Sequence, residues 1–269
     1  MRNVLVVGSC GGIGSTLVRK FLAEGWFVYG IDLRDNGFRD DHYRFTQADV
    51  TDETLLESKR AETGIASLDA FIYVAGILRM CSLIEEHVDT TRKVMDVNLF
   101  GMMTAVKVFF PAILKGKGRL VLFSSEVGRR SSHPFDGPYS ISKHAVEAYA
   151  DSLRREIQIL GIKVVKIECG GVKTPLLSHT MDGFDALVEH TTHYHDNLSA
   201  LRMFLSQSLL KGCDPDYLAG RVYKATVSRH PKLGYRIRNS FLVKIPDMFG
   251  MRAGDWIFAL LLRGKRKKR

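Results

Sequence analysis

The sequence predicts an α/β fold, a doubly wound parallel sheet flanked by helices on both faces, and three observations carry that prediction. Short apolar runs alternate with stretches of helical periodicity along much of the chain, the pattern of a parallel sheet covered on both sides. The first run, Val4 to Val7, ends in a cluster of glycines, and the second, Trp26 to Ile31, ends in an acid, Asp32, about 20 residues on. A later run, Gly118 to Phe123, delivers Ser124 and Ser125 at its carboxyl end, where ligands of such sheets bind.

After the first strand, Leu17, Val18, Phe21 and Leu22 recur at helical spacing, so the segment reads strand, glycine turn, helix. The turn, Gly8, Ser9, Cys10, Gly11, Gly12, Ile13 and Gly14, lets the backbone approach a pyrophosphate, and the helix N-terminus turns N–H groups toward it. Asp32 is placed to accept hydrogen bonds from an adenosine ribose diol and to repel a 2′-phosphate, which selects NAD; Arg34, two residues on, is a cation that a phosphate would favour. Tyr43 to Gln47 is a third strand, followed by Ala48, Asp49 and Val50 and a helix capped near Thr51. Leu68 to Val74 is a buried strand closed by Ala75 and Gly76. A long amphipathic stretch from Thr90 to Leu114 carries Asn98 among apolar neighbours, and a buried Asn must find partners. Gly137 and Pro138 start a helix on which Tyr139 and Lys143, one turn apart, share a face. A cation there favours phenolate over phenol, so the spacing predicts a tyrosine of lowered pKa that exchanges protons with an alcohol or ketone. Asp214, Pro215 and Asp216 mark a further helix start.

A chain of 269 residues can bury a full core as one sheet-based unit, and residues 1–269 are read as a single domain. The formal charge is +10, yet Arg263, Lys265, Arg266, Lys267, Lys268 and Arg269 supply six of those charges with no acid among them. The body is only modestly basic, which argues against a nucleic-acid-binding surface. Cys10, Cys81, Cys169 and Cys213 are widely spaced and propose neither a zinc site nor a disulfide framework, so a reducing, cytoplasmic compartment fits. The start of the chain lacks the pattern of a secretory signal, and the apolar run Trp256 to Leu262 is far below the roughly 18 to 20 residues of a membrane span. No bilayer-spanning segment is expected.

These motifs, in this order and spacing, resemble the short-chain dehydrogenase/reductase family over nearly the whole chain, and the resemblance implies a Rossmann-like fold. Its glycine pattern is met by Gly8, Gly12, Ile13 and Gly14, with Val7 where the family usually has Thr. Its adenine-binding Asp-Val looks like Asp49 and Val50, and its Asn-Ala-Gly motif is represented by Ala75 and Gly76 after Val74. The family's catalytic Asn, Ser, Tyr and Lys fall on Asn98, Ser125, Tyr139 and Lys143. The resemblance further implies that Val172 and Thr174 bind the nicotinamide carboxamide, that Lys143 binds the nicotinamide ribose, and that Asn98 holds a water linking Lys143 to solvent. Cys169 stands where the family motif has Pro.

Residues 175–212 occupy the place of the family's substrate lid and mix Met181, Phe184, Leu187, Met203, Phe204 and Leu205 with polar residues. Such an apolar lid suits a bulky hydrophobic substrate. His133 and Phe135 belong to the pocket lining or, for His133 preferentially, to a surface loop. His190, His193 and His195 lack the spacing of a metal site and are read as an exposed cluster, so no metal is expected. The region of His230 to Arg238 and of Ile245 to Phe249 is similar to steroid- and retinol-type (hydroxysteroid dehydrogenase-like) members, which favours a secondary alcohol or ketone on a lipophilic frame. Residues 241–269 form an extension whose helix and basic tail either pack and end in solvent or lie on an anionic membrane. By resemblance the chain forms a homodimer or homotetramer. The first reading is an NAD-dependent oxidoreductase; the alternatives are an NADH-binding sensor at membranes without turnover and a ketoreductase of carrier-bound acyl chains.

Overall fold

The apolar runs become strands at Asn3–Val7 (β1), Phe27–Asp32 (β2), Tyr43–Gln47 (β3), Ala70–Tyr73 (β4), Arg119–Phe123 (β5), Val164–Cys169 (β6) and Gly234–Ile237 (β7). The computed structural model describes residues 1–129, 132–195, 197–198, 201–202, 212–239 and 250–263. All seven strands pair in parallel in the order β3-β2-β1-β4-β5-β6-β7. The middle strands read as unbroken apolar runs because helices cover both of their faces. The expected doubly wound sheet is therefore present. Its order reverses between β1 and β4, so a crevice opens at their carboxyl ends, between the glycine turn and Ala75–Gly76.

Helices Gly12–Ala23 (α1) and Pro215–Val227 (α7) cover one face, and Glu53–Thr63 (α2), Val88–Met95 (α3), Gly101–Gly116 (α4) and Gly137–Ile157 (α5) cover the other. An aromatic cluster locks the first face: Phe21 meets Trp26 edge-on at 5.1 Å and Tyr223 at 5.3 Å. Pro175–His190 (α6) and Met251–Leu262 (α8) complete the described helices. The proposed lid residues Met203, Phe204 and Leu205, the stretch Ile245 to Phe249 and the basic residues Lys265 to Arg269 lie outside the described residues.

Two boundaries differ from expectation. The cap of α2 is Asp52, whose Oδ1 accepts from Leu55 N at 2.9 Å, while Thr51 donates back to Asp49. The carboxylate reaches the first-turn N–H groups from one residue further on, the geometry an N-cap requires. The amphipathic stretch becomes one helix from Val88 to Gly116, in which a π turn, Asp96–Phe100, joins α3 to α4. Among the described residues it is the one helix long and apolar enough to cross a membrane, yet 56% of its apolar window is buried inside the fold, as befits a core helix. Val7 and Val74, which replace polar residues of the family pattern, pack in opposite layers: Val7 with Leu5 and Tyr73, Val74 against Val4 and Val6.

The apolar pattern does not announce β6, because Lys166 and Glu168 interrupt it. Both are buried. Lys166 Nζ lies 2.6 Å from Glu147 and 2.9 Å from Asp151 of α5. Burial alone would lower the lysine's pKa, but the two carboxylates outweigh it and raise the pKa. Glu168 lies between Arg129 at 3.2 Å and Arg236 at 3.3 Å. The first trio ties α5 to the sheet at a place where removing one partner strands the others. Lys166→Met, which leaves Glu147 buried without its cation, is expected to lower the unfolding free energy by about 3 kcal/mol in a denaturant titration. An unchanged midpoint would show that the ion pairs contribute nothing net.

Candidate active site

The site begins at the turn after β1. Gly8 has φ +91°, and a Cβ there would stand 2.5 Å from Ala75 N. Only glycine both adopts that backbone and lets the ends of β1 and β4 touch. A Cβ on Gly14 would fall 1.8 Å from Gly8 O, so the first turn of α1 folds directly against the loop. Val7 O accepts from both Val74 N and Ala75 N, at 2.9 and 3.0 Å, which fixes Ala75 and Gly76 across the crevice. The α1 N-terminus starts at Gly12 with no side-chain cap, so its first N–H groups face the crevice side of a small-residue cradle. Such a cradle fits a pyrophosphate.

Asp32, at the end of β2, is held in place by two backbone donors. Its Oδ2 accepts from Cys10 N at 2.8 Å and its Oδ1 from Leu33 N at 2.7 Å. Tyr43 of β3 reaches over Gly30 to Ser9, its hydroxyl 3.3 Å from Ser9 Oγ. Asp49 uses Oδ1 to hold Thr51, and Val50 is buried beneath it. On the far side, Val172 bridges to Cys213, and Thr174, the residue before α6, packs over Gly12. Asp32, Asp49, Val50, Ala75, Gly76, Val172 and Thr174 thus follow or flank strand ends along the carboxyl edge of the sheet, beside Gly8, Ser9, Gly11, Gly12, Ile13 and Gly14. Arg34 is exposed.

Ser125 follows β5, and α5 returns to it. The buried Ser125 lies close enough to Tyr139 for its hydroxyl to pull the phenol's pKa down in part. Lys143, a turn further along α5, is 4% exposed; its ammonium lies 5.5 Å from the Tyr139 ring centroid and donates to Phe123 O at 3.0 Å. Serine, tyrosine and lysine therefore converge. The electrostatics depart from the expectation of a lowered tyrosine pKa. Burial pushes the Tyr139 hydroxyl well above its ordinary value, reinforced by the nearby Cys169, and the Ser125 hydroxyl offsets only part of it. Burial likewise brings Lys143 down to about 8. Desolvation disfavours the charged form of both groups and here exceeds their mutual help.

Asn98 lies in the π turn and is fully buried. Its Nδ2 donates to Ile77 O and to Ser142 Oγ, both at 2.9 Å, and its Oδ1 accepts from Ile77 N at 2.8 Å. Ser142 in turn donates to Tyr139 O at 2.7 Å. Asn98 thus ties the loop after β4 to the turn of α5 that carries Tyr139 and Lys143, and its amide N–H groups are committed to that task. Ser142 was not singled out by spacing arguments, although it lies inside the Tyr139–Lys143 stretch. Cys169, which stands where the family motif has Pro, is a buried thiol at the end of β6 next to both ionisable groups, its pKa raised to about 11 by burial. Asp136, just before α5, is, like Ser142, a residue not singled out in the sequence: burial pushes its carboxyl up to about 8.

Over the substrate side, Met80, Phe184, Leu198 and Leu201 form a small apolar cluster with Phe135, Tyr194 and Leu262 packed against it. Phe135 has φ +65°, the left-handed region that a bulky residue seldom enters, and its ring meets Tyr194 at 5.0 Å. His133 is no surface-loop residue; it is half-buried with its ring 5.8 Å from Phe258 of α8. The bulk of Phe135 and the helix beyond it draw this loop inward. Among the described residues no group of three or more His, Cys, Asp or Glu could hold a metal ion.

A family model described as short chain dehydrogenase matches residues 2–183. Over 250 residues the chain is 29% identical to an NADPH-dependent 3-dehydrocapnine reductase of Ornithobacterium rhinotracheale, covering 87% of each. Over 255 residues it is 29% identical to retinol dehydrogenase 7 of Mus musculus, covering 87% of this chain and 79% of that one. Among solved structures, a short-chain dehydrogenase from Streptomyces avermitilis superposes with a TM-score of 0.74 at 21% identity, over 97% of this chain and 92% of that one. At that identity the likeness speaks for the fold.

Proposed function

Because this chain belongs to the short-chain dehydrogenase/reductase family and is an oxidoreductase acting on an alcohol or ketone, we propose that it interconverts a secondary alcohol and a ketone on a hydrophobic substrate with NAD(H). The observation that carries this reading is the meeting of Ser125, Tyr139 and Lys143 at the carboxyl edge of the sheet, beside the glycine cradle. The glycine cradle from Gly8 to Gly14 and Asp32 would hold a nicotinamide cofactor, which would supply the hydride chemistry at the carbinol carbon. The protein's own groups manage the proton. Ser125 donates a hydrogen bond to the substrate oxygen and orients it toward Tyr139. In reduction the Tyr139 hydroxyl gives its proton to that oxygen; in oxidation it receives one. Burial keeps Tyr139 protonated at neutral pH, which readies it as the acid. The ammonium of Lys143 then stands opposite the phenolate left behind, and Asn98 holds the helix turn on which both depend.

NAD(H) is proposed on the carboxylate of Asp32, fixed by Cys10 N and Leu33 N at the end of β2, which would meet a 2′-phosphate with like charge. The NADPH dependence named for the dehydrocapnine reductase is that relative's own, and the proposal for this chain rests on Asp32. The hydrophobic substrate class is supported by the apolar cluster over the pocket and by the retinol and dehydrocapnine named for two relatives.

Tyr139→Phe is expected to reduce turnover of a steroid, retinoid or aliphatic alcohol panel by at least roughly a thousandfold while leaving NADH fluorescence titrations within about twofold. Comparable turnover by the variant would remove Tyr139 from the chemistry. The pH dependence has a defined sign. Lys143 carries its charge below about 8 and loses it above, so kcat/KM for ketone reduction is expected to be flat at neutral pH and to decline as pH rises through about 8. A reduction rate that climbs across that interval would contradict the role given to the ammonium. In parallel titrations NADH is expected to bind more tightly than NADPH, and Asp32→Ser to narrow the difference by about tenfold. Tighter NADPH binding by the unaltered protein would overturn the cofactor assignment.

A further inference from the structure

Helix α8 divides cleanly into two faces. Inward, Phe258 meets His133 at 5.8 Å, Leu262 packs on the cluster of Met80, Phe184, Leu198 and Leu201, and the Leu262 carbonyl accepts from Asn197 Nδ2 at 2.6 Å. It therefore rests on the loop between Ser125 and Tyr139 and on that apolar cluster. Outward, Trp256 is 62% exposed and Leu260 40%, with Ala259 also exposed between the two. Trp256, Ala259 and Leu260 share one side of the helix with Arg252 and Arg263, whereas Met251, seven residues before Phe258, is exposed at the start of the helix on the other phase. The sequence past the helix adds Lys265, Arg266, Lys267, Lys268 and Arg269 without an acid. An exposed tryptophan and leucine beside Arg252 and Arg263, on a helix followed in sequence by further cations, make a surface complementary in both polarity and charge to one partner, an anionic lipid bilayer. Apolar insertion and electrostatic attraction add there, each being marginal alone.

We propose that α8 docks the protein on anionic lipid, with Trp256 and Leu260 inserted at the headgroup boundary and Arg252 and Arg263 against the lipid phosphates. Its inner face then holds that loop and the apolar cluster next to the bilayer, so a lipophilic substrate enters from the membrane. This access route rests on the oxidoreductase reading; the docking itself does not. The test separates the two, because it reads binding without substrate.

The full chain is incubated with vesicles of phosphatidylcholine alone or mixed in equal parts with phosphatidylglycerol, and co-sedimentation and tryptophan emission are recorded. Trp26, the other tryptophan, is buried against Phe21 and Tyr223, so a change in emission on binding reports Trp256. Expected are binding to the anionic vesicles only, weakened by salt, a blue shift of emission, and a loss of at least roughly tenfold in binding for Trp256→Ser combined with Leu260→Ser. Tyr139→Phe is expected to bind vesicles as the unaltered chain does, so an inactive enzyme leaves the docking result standing. Equal binding to both vesicle types, absence of a blue shift, or undiminished binding by the double variant, which would mark a simple polycation, each overturns the proposal. So does a change in oligomeric state of the double variant in lipid-free buffer, which would assign the ridge to a second copy of this chain.

Discussion

The site depends on holding two ionisable groups one helical turn apart, the half-buried phenol of Tyr139 and the buried ammonium of Lys143, in surroundings that shield them from water. Water would screen their interaction and leave each near its ordinary pKa. The fold instead removes solvent, which raises the tyrosine and lowers the lysine toward neutrality. Burial holds the tyrosine in its neutral, proton-bearing form and leaves the lysine close to losing its proton near neutral pH. Such burial is costly, and it persists only because the surroundings over-determine it: the Phe123 carbonyl on the lysine, the Ser125 hydroxyl on the tyrosine, and Asn98 acting through Ser142 on the backbone between them.

That arrangement in turn needs α5 to stay fixed against the sheet. Toward its middle and C-terminal half α5 is tied by Glu147 and Asp151 to Lys166 of β6, buried charges that are safe only while paired. At its start, the loop from His133 to Asp136 is pressed between the apolar cluster and α8, with Phe135 held in a backbone region that its side chain disfavours. The helix bearing the reactive pair is therefore clamped electrostatically at one end and by apolar contacts at the other, while the glycine turn and Asp32 occupy the opposite side of the crevice.

Much of this was readable in the chain. Gly8 and Gly14 mark the turn because no other residue fits the backbone and the contacts there, and the runs of β1, β4 and β5 stand out because both faces of those strands are buried. β6 was not readable, since Lys166 and Glu168 look like solvent-facing residues until their partners on α5, Arg129 and Arg236 are known. Asn98 was rightly expected to be buried and bonded, but its partners, Ile77 and Ser142, are separated from it by 21 and 44 residues, distances at which periodicity carries no information.

Local pattern alone determined the alternation of strand and helix, the glycine cradle, the acid at the end of β2 and the shared face of Tyr139 and Lys143, because each is set by backbone sterics or by a spacing of a few residues. Only the tertiary structure decided the sign of the tyrosine's shift, the identity of the cap on α2, the commitment of Asn98, and the place of Cys169, Asp136 and His133. Those outcomes are set by how much solvent is excluded and by which distant group arrives, and neither quantity exists until the chain has packed.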